Sequence, residues 1–116
     1  MYKIKNITSE YHQEFIFSFS FGDVLFKLYY SDNLLGWFFS LEYEDLIFNN
    51  MRLTNFPNIL NQFNLVIPFG LTCKTKNGYD AVSRFDFEKG NATLYFLDKQ
   101  EVNNVLNYDL RRMYEW

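Results

Sequence analysis

Gly36-Trp37-Phe38-Phe39-Ser40-Leu41-Glu42-Tyr43-Glu44-Asp45 is a bulky run that starts directly after a turn glycine and ends in a polar pair. That placement sets the register of the chain before it. Side chains on a strand alternate between two faces, so Trp37, Phe39, Leu41 and Tyr43 share one face, and Phe38, Ser40, Glu42 and Glu44 share the other. Two similar runs precede it. Glu14-Phe15-Ile16-Phe17-Ser18-Phe19-Ser20-Phe21 places phenylalanine at every second position, and Val24-Leu25-Phe26-Lys27-Leu28-Tyr29-Tyr30 is built from branched and aromatic residues. A period of two with such residues is the signature of strands. The short joints Phe21-Gly22-Asp23 and Ser31-Asp32-Asn33-Leu34-Leu35-Gly36 make the three runs neighbours in an antiparallel meander.

Downstream, Leu46-Ile47-Phe48-Asn49-Asn50-Met51-Arg52-Leu53 reads as a fourth strand after a tight turn at Glu44-Asp45. Thr54-Asn55-Phe56-Pro57-Asn58 punctuates the chain, and residues 59–66 fit either one helical turn or an irregular crossover. In Pro68-Phe69-Gly70 the proline removes a backbone donor and the glycine permits a positive φ, which predicts a corner before the strand Leu71-Thr72-Cys73-Lys74-Thr75-Lys76. Asn77-Gly78 is a turn dipeptide, residues 79–88 an ordered polar loop, and Ala92-Thr93-Leu94-Tyr95-Phe96-Leu97 the last strand. Asp98 is placed to cap a helix over 99–107, with Glu101 completing a capping box and Val102, Val105 and Leu106 on its apolar face. The expected fold is mainly β, a small antiparallel barrel or sandwich of about six strands with a short C-terminal helix.

No linker rich in proline, glycine or serine divides the 116 residues, so residues 1–116 read as one domain. Its core must be unusually aromatic, since 14 Phe, 9 Tyr and 2 Trp supply 22% of the residues. The alternation selects Phe15, Phe17, Phe19, Phe26, Trp37, Phe39, Leu41, Leu94 and Phe96 as core candidates. With 11 Lys+Arg against 14 Asp+Glu and no basic run, the chain lacks the electrostatic footprint that a phosphate backbone requires. Nucleic acid is therefore not expected as a ligand. A single cysteine forms no intramolecular disulfide, the start Met1-Tyr2-Lys3-Ile4-Lys5-Asn6 has no apolar signal-like core, and no stretch of 18 apolar residues occurs. Synthesis in the cytosol and no membrane partner follow as expectations.

The residues that carry chemistry are few. His12, the only histidine, precedes the first expected strand, and any Ser-His-Asp or Cys-His arrangement would have to use it. Cys73 alternates with Leu71 and Thr75 as a small buried hydrophobe would. One Cys and one His do not make a structural zinc site. Glu42 and Glu44 have the spacing of a paired-carboxylate site but read more simply as a solvated sheet face. Asp80, Asp86 and Glu88 lack the spacing and glycine of an EF-hand loop. No catalytic, cofactor or metal residue is assigned, and an enzyme is not expected.

The surplus aromatics are more informative. Leu25, Lys27 and Tyr29 lie on the second face of their strand and Phe38 lies opposite Trp37, so apolar residues occur on both faces of the sheet. Monomers rarely expose large contiguous apolar patches. Because aromatics and arginine favour interface centres, Arg111, Arg112, Tyr114 and Trp116 form a candidate docking segment, with a C-terminal helix packed on its own domain as the alternative. A β module binding carbohydrate or protein through exposed aromatics is a second functional reading.

The order of pieces resembles the baseplate plug proteins of contractile-tailed phages and related prophages. The resemblance runs roughly from Glu14 to Leu106. It rests on paired amphipathic strands, the Gly36-Trp37-Phe38-Phe39-Ser40-Leu41 strand after a turn, the Pro68-Phe69-Gly70 corner, the acidic position in Arg84-Phe85-Asp86, and Leu94-Tyr95-Phe96-Leu97 before an acidic-start helix. The loop 78–86 lacks the proline and paired acids usual in such proteins, and residues 108–116 extend past the pattern. The resemblance implies a non-enzymatic virion part, docked against hub or tail tube proteins at the baseplate, that helps close the lower end of the tube until infection.

Overall fold

The computed structural model describes the backbone of residues 1–114 and the side chains of residues 1–106. Seven strands occur in the order β1 (Tyr2–Lys3), β2 (His12–Phe19), β3 (Gly22–Ser31), β4 (Gly36–Tyr43), β5 (Leu46–Arg52), β6 (Gly70–Thr75) and β7 (Ala92–Leu97), followed by helix α1 (Lys99–Tyr114). Strands β2-β3-β4-β5 form an antiparallel meander, and β1-β7-β6 form a second antiparallel sheet. The two pack as a sandwich rather than closing into a barrel. The mainly β class and the terminal helix match the sequence reading. β1 is the additional strand: at two residues it is too short to show alternation.

The inner faces meet through phenylalanine. Phe96 on β7 packs edge-on against Phe17 (5.2 Å between ring centres), Phe19 (5.5 Å), Phe26 (5.8 Å) and Phe69 (5.8 Å). Phe26, Trp37, Phe39, Leu41, Leu94 and Phe96 are buried. Phe15, Phe17 and Phe19 are half-buried and stacked along β2, because β2 is an edge strand with no neighbour beyond it. Tyr2 on β1 covers part of that stack, edge-on to Phe17 and Phe19.

Two glycines leave space for a reason other than the one their sequence context suggests. At the β3–β4 turn the left-handed residue is Leu35 (φ 48°), while a Cβ on Gly36 would lie 2.7 Å from the Arg52 guanidinium. In the Pro68-Phe69-Gly70 corner, Gly70 takes no positive φ; a Cβ there would lie 2.7 Å from the Asn58 amide. Asn58 is buried, and its Oδ1 accepts from the backbone N–H of both Leu60 and Leu71, at 3.1 Å each. It thus fixes the crossover of residues 53–69 to β6. That crossover contains one 3₁₀ turn, Asn61–Phe63, which settles the helical alternative at a single turn.

The capping box at α1 is formed as expected: Glu101 N–H donates to Asp98 Oδ1 (2.8 Å) and Asp98 N–H to Glu101 Oε1 (3.1 Å). Val102 is buried, with Val105 and Leu106 half-buried beside it. The helix continues beyond residue 107 to Tyr114, so residues 108–114 are helical backbone.

Truncating Phe96 removes a ring from the centre of the sheet contact. Phe96→Ala should cost about 3–5 kcal/mol in urea unfolding; an unchanged midpoint would place the ring outside the core. Gly70→Ala should cost more than Gly36→Ala, by about 1 kcal/mol or more, because it displaces a buried hydrogen-bonded amide and the other only moves the end of a flexible arginine. Equal melting temperatures for the two variants would contradict this account.

Candidate partner interface

The outer face of the four-stranded sheet carries a row of rings and one cation. His12 pairs with Tyr29, Tyr29 with Phe38, and Phe38 with Arg52, so one side chain from each strand falls in line. The His12 and Tyr29 rings stack at 6.0 Å, those of Tyr29 and Phe38 at 5.9 Å, and the Arg52 guanidinium lies 5.3 Å from the centre of Phe38. Such cross-strand pairs are the unit of sheet stabilisation. His12 is the first residue of β2 rather than a residue ahead of it, which is why its isolation in the sequence hides its place in the row. The register of the hairpins is the signal that could have found both His12 and Arg52.

A β-bulge holds the row in place. Asn49 and Asn50 together stand opposite Ser40, and Asn50 adopts φ 56°, a conformation that asparagine tolerates better than most residues. Ser40 Oγ accepts from Asn50 N–H at 3.2 Å, and the Tyr29 hydroxyl donates to Asn50 Oδ1. Burial raises the Tyr29 phenol above its ordinary pKa. One step along the sheet, Lys27 lies 4.0 Å from Glu14. One step further, Ile16, Leu25, Glu42 and Ile47 form a second row, with Ile16 and Ile47 exposed. Glu42 sits between two apolar neighbours in that row. Glu44 is not a strand residue beside it but the left-handed residue of the β4–β5 turn (φ 53°).

The remaining sequence candidates are separate. Asp80 accepts from Asn55 N–H (2.9 Å), Asp86 from Ser83 N–H (2.9 Å) and Glu88 from Ser9 N–H (3.1 Å), so each carboxylate ties down a different piece of backbone. Among the described residues no group of three His, Cys, Asp or Glu converges. Cys73 is buried, and desolvation pushes its thiol up to about 12, with the carboxylates of Asp80 and Asp86 adding to the shift. The loop of residues 79–91 is ordered by Trp37, whose indole N–H donates to Ser83 O (3.2 Å), by the Tyr30 hydroxyl, which donates to Val82 O, and by Phe87, edge-on to Trp37 at 5.4 Å. Arg84 stacks over Tyr11 and donates to Ser9 O at 2.7 Å. The side chains of Arg111, Arg112 and Tyr114, and the whole of Trp116, lie outside the described residues.

A cleft of about 490 Å³ opens where the Phe19-Ser20-Phe21 end of β2 meets β1 and the start of α1; Phe69, Phe96 and Leu97 contribute to its walls. Among the described residues, apolar surface thus occurs on the outer sheet face and in a cleft at the sandwich edge, and on loops at Phe56, Leu65 and Tyr79.

Residues 1–100 match the family model described as the cyanophage baseplate Pam3 plug gp18. The chain belongs to the baseplate plug family. The match includes the thirteen residues ahead of the resemblance read from the sequence and stops at the second residue of α1, so residues 101–116 lie outside it. A search of curated proteins finds no match. As a member of the plug family the chain is a structural protein of a phage tail baseplate, and other baseplate proteins are its partners. No helix among the described residues is long and apolar enough to cross a membrane.

A thiol held near 12 is neutral at pH 8 and has little nucleophilic character. Native protein should therefore leave Cys73 unmodified by a disulfide reagent at pH 8, with one equivalent reacting after denaturation. Rapid native reaction would mean that β6 opens locally. Because burial raises the folded pKa above the ordinary 9.0, the contribution of the neutral thiol to stability is complete below pH 9 and is lost as pH rises towards 12.

Proposed function

We propose that this protein is a plug docked in the baseplate hub that helps close the lower end of the tail tube before infection and is held there by non-covalent contacts. The family match over residues 1–100 carries this reading. The packing supports it: a sandwich filled with interlocking rings is a stiff body, suited to occlusion. Its outer sheet face offers half-buried aromatics and an arginine of the kind found at interface centres. Displacement by a rearrangement of the hub is the mechanism of release.

The rings of the outer row favour a protein partner over a sugar. Tyr29 has His12 against one face and Phe38 against the other, and Phe38 has Tyr29 and Arg52. A sugar-stacking platform needs a ring face free to solvent, and these faces are occupied.

Arg111, Arg112, Tyr114 and Trp116 are the proposed second docking element. They fall beyond the family match and at the end of α1 and past it. Truncation after Tyr108 is expected to leave a cooperative thermal melt and to weaken binding to the hub protein of the same phage, measured by calorimetry. Normal binding by the truncated chain removes the tail from the interface; loss of the melt makes the tail part of the fold instead.

A further inference from the structure

One outer face of the sandwich is lysine-rich, and one end of the other is acidic. On the three-stranded sheet, Lys3 pairs in register with Tyr95, and Lys74 with Thr93. Ile4 N–H donates to Leu94 O and Lys76 N–H to Asn91 O, which continues both strands, so Lys5 and Lys76 follow with the same outward parity. All four lysines are exposed, and Lys74 Nζ lies 5.6 Å from the centre of the Tyr95 ring. On the four-stranded sheet, Asp23 and Glu42 occupy outward positions at the end that carries the Glu44-Asp45 turn. Two cations share that face: Lys27, taken by Glu14, and Arg52, which lies over Phe38 at the opposite end of the sheet. Among the described residues, none of these four lysines and none of these four carboxylates belongs to an ion pair.

We propose that copies of this chain associate head to tail, with the lysine face of one copy seated on the acidic end of the next copy's outer sheet face. The inner faces of the sandwich are packed on each other, so the two charged faces point in opposite directions. A two-fold contact through the lysine face would set like charge on like charge. Only a heterologous contact pairs them, and such contacts close into rings or extend as stacks. The apolar residues fit the same arrangement: Ile16, Leu25 and Ile47 flank Glu42 on one face, and Tyr95 lies between Lys3 and Lys74 on the other. The smaller face, three strands at about 4.8 Å spacing and six residues at about 3.3 Å, limits the footprint to roughly 300 Å². That is well under half of the roughly 800 Å² that a standard stable interface buries per partner, so the association is weak, sensitive to salt and helped by a symmetric scaffold. The inference does not depend on the plug reading.

The test uses the full chain in sedimentation velocity at about 0.05 M and about 0.5 M salt, which brackets strong screening. Wild type should sediment above monomer mass at high protein concentration in low salt and as monomer in high salt. The double variants Lys3→Glu/Lys74→Glu and Asp23→Lys/Glu42→Lys should each remain monomeric with wild-type melting temperatures. Mixed one to one, they should associate again, because one then has two acidic faces and the other two basic ones. The neutral variants Lys74→Gln and Glu42→Gln provide a second reading should a double variant not fold, and each should lower the associated fraction. A wild type that is monomeric in low salt, variants that associate as wild type does, or a mixture that stays monomeric would each overturn the proposal.

Discussion

The edge-to-face packing of Phe96 against Phe17, Phe19, Phe26 and Phe69 is the contact on which the two sheets depend. The three-stranded sheet has only one long central strand, β7, with a two-residue partner on one side. Such a sheet is not stable alone. It is held because one ring on β7 fits among rings from β2, β3 and the corner before β6, where edge-on geometry adds to the burial of apolar area. β2 is an edge strand, so its phenylalanines are only half-buried. Their stack, with Tyr2 laid over it, continues the core outward to the rim of the molecule.

The long loop before β7 is ordered by a different device. Trp37 is fully buried, yet its indole N–H must find a partner, and it finds the Ser83 carbonyl. Tyr30, its neighbour in register, does the same with Val82. Large aromatics with one polar atom thereby fill the core and fasten a polar loop across the open side of the sandwich. Arg84, stacked on Tyr11, then ties the loop to the N-terminal segment. The proposed partner surface on the outer sheet face lies outside this core, with charges and rings that the packing leaves exposed or half-buried. A plug must be stiff inside and recognisable outside, and this division of residues meets both needs.

The meander was legible because alternation over eight to ten residues is a strong signal: β4, β5 and β7 lie within a residue of where the pattern places them, and β2 and β3 each begin two residues earlier. The capping residues of α1 were equally explicit, since Asp98 and Glu101 need only each other. What escaped depends on contacts distant in sequence. Gly36 and Gly70 look like turn glycines, but the space they leave is filled by Arg52 and Asn58, sixteen and twelve residues away along the chain. β1 exists only because β7 provides an edge for it. On the candidate interface, Tyr29 and Phe38 were visible as surplus aromatics, whereas His12 and Arg52 joined them only through register across four strands. The charge division between the outer faces was invisible in a net charge of -3.

The central claim is that this chain is a built part of the tail, and particles test it most directly. Quantitative mass spectrometry of density-purified phage, or of tails induced from the source strain, should find the protein at a low, constant copy number per particle. Its absence from intact, infectious particles would contradict the account.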